Sequence, residues 1–136
     1  MHWIIANMKW IMLLSGTLTC TMVYATIAPQ AALHSTFGET LEGPLAEVVV
    51  RNWGALIALV GAMLIYGAYV PPGRPLILTV AGLSKLVFIG LVLFQGSHYL
   101  GKQAGLAIAV DLLMVLLFTS YLVGIRQSQL SPRPPR

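Results

Sequence analysis

Long runs of apolar residues, separated by short polar or proline- and glycine-rich breaks, alternate along the chain. No charged residue lies between Lys9 and Glu39, and none lies between Arg51 and Arg74. A run of about 20 apolar residues is long enough to cross the hydrocarbon core of a bilayer as a helix. The pattern predicts four such helices, spans 1 to 4, at about residues 5–28, 45–69, 75–95 and 103–125.

The breaks between the runs predict how the spans are connected. Pro71-Pro72-Gly73 ends span 2, and Pro75 suits the first turn of span 3, where its missing N–H costs nothing. Residues 96–101 form a short turn, and residues 29–44 form the longest connection, which we expect to be a loop. The polar, proline-containing residues 126–136 predict a disordered cytoplasmic tail.

The first apolar run has some features of a secretory signal, because it follows Lys9. Its apolar part, residues 10–28, exceeds the usual 7–15 residues of a signal sequence. The one acceptable cleavage context, Thr26-Ile27-Ala28, is followed by Pro29, an unfavourable first residue of a mature chain. We therefore expect an uncleaved span, with a cleaved signal as the alternative.

The predicted fold is an all-α, integral membrane four-helix bundle that forms a single domain over residues 1–125. Four spans place both termini on one side of the membrane, and the basic residues determine which side. Lys102 and Arg51 belong to the opposite side, whereas five basic residues share the side of the termini: Lys9, Arg74, Arg126, Arg133 and Arg136. The positive-inside rule therefore predicts cytoplasmic termini and an outward-facing loop at 29–44.

Composition excludes several classes of protein. The chain has 136 residues, of which 57% are hydrophobic and only 9% charged. A soluble domain has about 25% charged residues, and a disordered chain combines low hydrophobicity with high charge. The net charge of +4 is scattered and forms no basic stripe, so a nucleic-acid partner is not expected. We therefore expect the lipid bilayer to surround the chain.

Polar residues within the spans are the candidate functional site. A charge at membrane depth costs at least about 2.5–3.5 kcal/mol, so each one requires a reason. Lys85 lies roughly 15 Å from the start of span 3 and Asp111 roughly 13–14 Å from the start of span 4, which places the two at similar depth. We expect an ion pair between them, within an intramembrane polar network of zero net charge: Glu47, Arg51, Asn52, Lys85 and Asp111.

Two interpretations of this network remain open. It fixes the register of spans 2, 3 and 4, or it lines a path for protons, ions or a substrate. Small residues at four-residue spacing predict close helix packing, either within the bundle or between copies of it. They are Gly54, Ala58 and Ala62 on span 2, and Gly105 and Ala109 on span 4.

No motif predicts catalysis, a cofactor or a metal site. GxSxG, Walker and GxGxxG patterns do not occur in the sequence, and no histidine lies within a span where it could bind haem. The lone Cys20 fits a small, buried apolar position. The possible metal ligands on the outward side are His34, Glu39, Glu42 and His98. Their spacing is not that of a metal site, so we expect a solvated loop there.

The segment Arg51-Asn52-Trp53-Gly54-Ala55, the proline-rich turn after span 2 and Asp111 in span 4 resemble the DoxX-like and related small four-helix membrane proteins of bacteria. The resemblance covers about residues 45–125. It implies the four-helix architecture and a bacterial inner-membrane location. DoxX itself is tied to a quinone-linked, thiosulfate-oxidising complex, but no catalytic residue and no activity follow for this chain.

Three functional hypotheses follow from the sequence. The first is a non-enzymatic accessory or assembly subunit that contacts other membrane subunits or further copies of itself. The second is a small oligomeric transporter or proton conduit that uses Asp111, Lys85 and Arg51. The third is a quinone- or lipid-linked membrane enzyme subunit whose polar network faces the ligand.

Overall fold

A computed structural model describes residues 1–131 of the chain, and over these residues the secondary structure is entirely helical. Short 3-10 turns at Pro71–Gly73 and Ser97–Gly101 connect the later helices. The six α-helices are α1 His2–Cys20, α2 Val23–Ile27, α3 Pro29–Phe37, α4 Pro44–Tyr69, α5 Arg74–Gln95 and α6 Gln103–Leu130. The all-helical prediction is confirmed for this part of the chain.

Four helical segments are long and apolar enough to cross a membrane, as the sequence predicts. They are His2–Ile27, which combines α1 and α2, Pro44–Tyr69, Pro71–Gln95 and Gln103–Leu130. Their positions agree with spans 1 to 4 to within a few residues at most ends. The breaks at Pro71–Gly73 and Ser97–Gly101 fall where the turn residues predict them.

Residues 29–44 contain a helix where the sequence predicts only a loop. Proline suits the first turn of a helix, and α3 begins at Pro29. It ends at Gly38, which adopts the left-handed conformation (φ 75°) that commonly terminates helices. A nine-residue helix shows too few turns for its periodicity to be visible in the sequence, which is why the loop prediction was wrong for residues 29–37.

The first and last long helices also differ from their predicted extents. The first is interrupted at Thr21 and Met22, between α1 and α2. The Thr21 side chain donates a 2.5 Å hydrogen bond to the Leu18 carbonyl at this point. Helix α6 continues to Leu130, so residues 126–130, predicted to be disordered, are helical. Ser131 follows the end of this helix, and the remaining residues of the predicted tail, 132–136, lie outside the described residues.

The long helices form two closely packed pairs, α1 with α4 and α5 with α6, and the contacts between the pairs are less extensive. We call the two ends of the bundle the terminal end and the α3 end. The chain begins at the terminal end, where Met1 and Ile5 reach Gly124 of α6. At the α3 end, helix α3 contacts both α4 and α6.

Glycines allow the backbones of α1 and α4 to approach closely. A Cβ atom on Gly61 would lie 2.7 Å from the backbone nitrogen of Cys20 and 2.8 Å from the carbonyl oxygen of Gly16. Gly54, one heptad earlier on α4, meets Met22 and Ala25 in the same way. Helices in a lipid environment associate through such close contacts of small residues.

The predicted stripes of small residues are only partly used. Gly54 lies in the α2–α4 contact and the Ala58 carbonyl faces Cys20 in the α1–α4 contact, but Ala62 is exposed. On α6, Gly105 packs against the backbone of Leu100 in the preceding 3-10 turn, and Ala109 is exposed. The glycines that allow the close approach to α4, Gly54 and Gly61, are therefore seven residues apart. The four-residue pattern in the sequence does not indicate this spacing.

The main core fills the terminal half of the bundle. Its fully buried side chains come from all four long helices and include Met8, Met12, Leu64, Leu78 and Phe118. Arg74 closes this half, since its guanidinium donates hydrogen bonds of 2.9 and 2.8 Å to the carbonyls of Gly67 and Ala68 at the end of α4. These carbonyls have no partner within a helix, and a cation also suits that end of the helix dipole.

Candidate functional site

Lys85 and Asp111 form a buried ion pair between α5 and α6. The Lys85 Nζ donates a 2.6 Å hydrogen bond to Asp111 Oδ1. Only 9% of the lysine side chain and 18% of the aspartate side chain are exposed. The two helices run antiparallel on either side of the short Ser97–Gly101 turn, which places the two residues at the same level. The structure thus brings together the pair that the depth argument predicts.

Arg51 and Glu47 form a second, separate pair near the start of α4. Arg51 Nη2 lies 3.6 Å from Glu47 Oε2, and both side chains are about half exposed (45% and 47%). Arg51 Nη1 donates a 2.6 Å hydrogen bond to the carbonyl of Thr26, whose hydroxyl donates in return to the Arg51 carbonyl at 2.9 Å. Arg51 therefore caps the end of α2 and does not extend to Asp111.

The predicted network of five residues is thus divided. Asn52 is exposed and makes no side-chain hydrogen bond within residues 1–131. The carbonyls freed at the break after α2 attract the Arg51 guanidinium, because such groups otherwise lack a partner. The sequence does not reveal this break, which is why helical rise alone places Arg51 within reach of Asp111 and the structure does not. Lys85 and Asp111 alone remain as the candidate site.

A cavity of about 490 Å³ lies beside this ion pair, between the two helix pairs. Its lining is mostly apolar, with Ile57, Val60 and Phe88 among its side chains, and Lys85 and Asp111 form part of its wall. Leu18 of α1 and Leu106 of α6 line it and are 46% and 66% exposed, so it reaches the side of the bundle between these helices. Ligand sites in proteins have this size and this mixture of apolar lining with a few polar groups.

The cavity is closed toward the terminal end. Ala81 and Leu78 lie one and two turns from Lys85 on α5, and both are fully buried or nearly so. Met114 and Phe118 occupy the matching positions below Asp111 on α6 and belong to the main core. The ion pair therefore lies at the inner end of a blind cavity and above a packed apolar layer.

A second cavity of about 410 Å³ adjoins the first at the α3 end. It lies between the α1–α2 break and α3, and its polar side chains are Thr21, Tyr24, Ser35, Thr36 and Gln103. Four residues line both cavities: Thr21, Met22, Thr36 and Gln103. The two cavities are thus neighbouring compartments, one mostly apolar and one richer in hydroxyl groups.

Helix α3 closes the bundle at this end through Phe37. The Phe37 ring lies 5.2 Å from that of Tyr99 and 6.3 Å from that of Trp53. The Tyr99 hydroxyl donates a 2.8 Å hydrogen bond to Glu39. This bond raises the pKa of Tyr99, because ionisation would remove the donor, and the negative charge of Glu39 acts in the same direction. Tyr99 thus stays protonated, as a donor, at neutral pH.

The remaining candidate ligands are not assembled into a metal site. In the part of the chain that the structure describes, no group of three or more His, Cys, Asp or Glu side chains is placed to hold a metal ion. Cys20 is partly buried, and its Sγ lies 3.6 Å from the Ala58 carbonyl in the α1–α4 contact. It acts there as a small packing residue.

Sequence reasoning missed the residues that shape the cavities. Thr36 and Gln103 were not singled out, since one was assigned to a loop and the other to the start of a span. Thr19 and Thr21 of the first apolar run also line the larger cavity, but hydroxyls in apolar helices more often bond to their own carbonyls, so they do not indicate a cavity. Thr19 does so, with a 2.7 Å bond to the Ser15 carbonyl.

Comparison with protein-family models, with curated proteins and with solved structures finds no match to this chain.

Proposed function

We propose that the chain is a multi-pass integral membrane protein of the bacterial inner membrane that crosses the bilayer four times. Four helices of sufficient length and apolarity support this, and their outward faces are apolar as well. Leu14, Leu59, Leu83 and Leu116, one from each long helix, are all more than half exposed. Such surfaces are stable in lipid and unstable in water. The bacterial inner membrane is the location implied by the resemblance to DoxX-like proteins.

The proposed orientation has both termini in the cytoplasm. Lys9, Arg74 and Arg126 belong to the terminal end, whereas Arg51 and Lys102 belong to the α3 end. This excess of basic residues favours a cytoplasmic terminal end. A single cysteine placed at Thr40 in a Cys20→Ser background should react with an impermeant maleimide on intact spheroplasts. Labelling only after lysis would reverse the orientation.

Within the membrane, we propose that the protein holds an amphipathic molecule, a lipid or a lipid-like quinone, as an accessory subunit of a membrane complex. The observation that carries this proposal is the mostly apolar 490 Å³ cavity with the Lys85–Asp111 pair in its wall. The opening between Leu18 and Leu106 gives a ligand access from the bilayer. Because the ammonium and the carboxylate neutralise each other, the site suits retention of a ligand better than acid–base chemistry.

The proposal is tested by filling the cavity. Ala107 lines it, whereas Ala109 of the same helix is exposed and does not. Ala107→Phe should reduce the amount of lipid or quinone that remains bound after purification in mild detergent at least several-fold. Ala109→Phe should leave that amount unchanged.

Native mass spectrometry and solvent extraction measure the bound molecule in both variants. A thermal unfolding temperature of Ala107→Phe close to that of the wild-type protein would confirm that the fold persists. Equal retention in the two variants, or no retained molecule in the wild-type protein, would contradict a ligand-holding role. The same preparations show whether other membrane subunits or further copies of the chain co-purify.

The packed layer between the ion pair and the terminal end argues against a proton or ion conduit. Crossing it would require a polar path through Leu78, Ala81, Met114 and Phe118, all of which are buried and apolar. We expect proteoliposomes that contain the wild-type protein to show the same pH-driven proton flux as protein-free vesicles. A flux above that background, lost when Lys85→Met is combined with Asp111→Leu, would favour the conduit instead.

A further inference from the structure

The second cavity differs from the first in the chemistry that it offers. Its polar groups are hydroxyls and one amide, and no charged side chain lines it within the described residues. The hydroxyl of Thr21 donates to the Leu18 carbonyl and that of Ser35 donates to the Ala32 carbonyl at 3.0 Å. The oxygen atoms of both hydroxyls remain free to accept hydrogen bonds.

Thr36 and Gln103 add donors at the boundary between the cavities. Neither side chain makes a hydrogen bond to residues 1–131, so the Gln103 amide presents two donors and an acceptor. Together with Thr21 and Ser35, they offer both donors and acceptors to a bound group. Hydroxylated groups, which donate and accept equally, match this lining.

Neither cavity offers an unpaired charged side chain to a bound ligand. Lys85 is paired with Asp111. Lys102 lies against Gly38 and lines neither cavity. An anionic phosphate in the second cavity would thus meet no cationic side chain in its lining. The lining therefore favours an uncharged group.

We propose that the second cavity binds the uncharged, hydroxylated headgroup of a lipid, such as a sugar or glycerol, whose apolar chain occupies the first cavity. This inference rests on the proposed function, since it concerns the same ligand. Thr36 and Gln103, which line both compartments, would contact the junction between headgroup and chain. Asp111 lies eight residues along α6 from Gln103, so the chain would extend about 12 Å before it reaches the ion pair.

The experiment compares lipids that differ only in the headgroup. The full chain is reconstituted into phosphatidylcholine nanodiscs that contain glucosyl diacylglycerol, phosphatidylglycerol or phosphatidylethanolamine with identical acyl chains. We expect native mass spectrometry to show the glucolipid enriched at least fivefold over both phospholipids. Gln103→Leu and Thr36→Val should each reduce this enrichment about fivefold, as expected for the loss of one hydrogen bond.

Gln95→Leu is the matched control, because Gln95 is exposed at the same end of the bundle and lines neither cavity. Its enrichment should equal that of the wild-type protein. Lipid binding without headgroup preference, or preference for phosphatidylglycerol or phosphatidylethanolamine, would overturn this inference and leave the proposed function intact. Complete absence of bound lipid would overturn both. If free methyl glucoside bound as tightly as the glucolipid, the site would recognise a soluble sugar and not a lipid, and the inference would be overturned.

Discussion

Lys85→Met is expected to lower the free energy of unfolding by about 3–5 kcal/mol, because it leaves the Asp111 carboxylate buried without a partner. The carboxylate is only 18% exposed and its hydrogen bond to Lys85 measures 2.6 Å. Removal of the lysine abolishes this contact, and the desolvation of the aspartate is then uncompensated. Unfolding in mixed detergent and sodium dodecyl sulfate, followed by circular dichroism, measures the loss.

The double variant Lys85→Met with Asp111→Leu provides the control. Replacing both partners by apolar residues of similar size removes the pair and its desolvation together, which is often neutral or stabilising. We expect the double variant to recover most of the stability that Lys85→Met loses. If the single and double variants were equally unstable, loss of packing would be the cause, and the pair would contribute little as an ion pair.

Gly61→Ala is expected to destabilise the protein by about 1–3 kcal/mol or more, the usual range for overpacking. The added Cβ would lie 2.7 Å from the Cys20 nitrogen and 2.8 Å from the Gly16 carbonyl oxygen. Both atoms belong to the backbone of α1, so the contact cannot be relieved by a side-chain rotation. The helices would have to separate along their most extensive contact.

The control for this substitution is Gly82→Ala on α5, where nothing lies within 4 Å of the added Cβ. Alanine favours a helix over glycine by about 1 kcal/mol, so Gly82→Ala should be neutral or slightly stabilising. The same denaturation assay compares the two variants. Equal effects would show that α1 and α4 separate at little cost, which would contradict the importance of their close backbone contact.

Most of the architecture follows from the sequence, because an apolar run long enough to cross a membrane is a strong, local signal. Pro71–Gly73 and Pro75 mark a helix end and a helix start for reasons that depend only on proline and glycine chemistry. The similar height of Lys85 and Asp111 along the bundle axis follows from the helical rise per residue alone, because a short turn connects their helices. These features need no knowledge of tertiary packing.

Features that depend on packing between distant segments were not predictable. The short helix α3 and the break at Thr21 exist because the segments after α1 fold back onto α4 and α6. The end of α2, just before Pro29, exposes the carbonyl of Thr26 and determines where Arg51 binds. The cavities have the same origin, since no sequence pattern indicates the space that remains between two helix pairs.

The short Ser97–Gly101 turn between α5 and α6 has a consequence for biogenesis. Lys85 alone would cost at least about 2.5–3.5 kcal/mol at the centre of a bilayer, and Asp111 would cost a similar amount. In the proposed membrane topology, only a few residues separate the two helices, so they can leave the translocon together as a hairpin with the charges already joined. Lengthening that turn should then lower the yield of inserted protein, even if the mature fold tolerates the added residues.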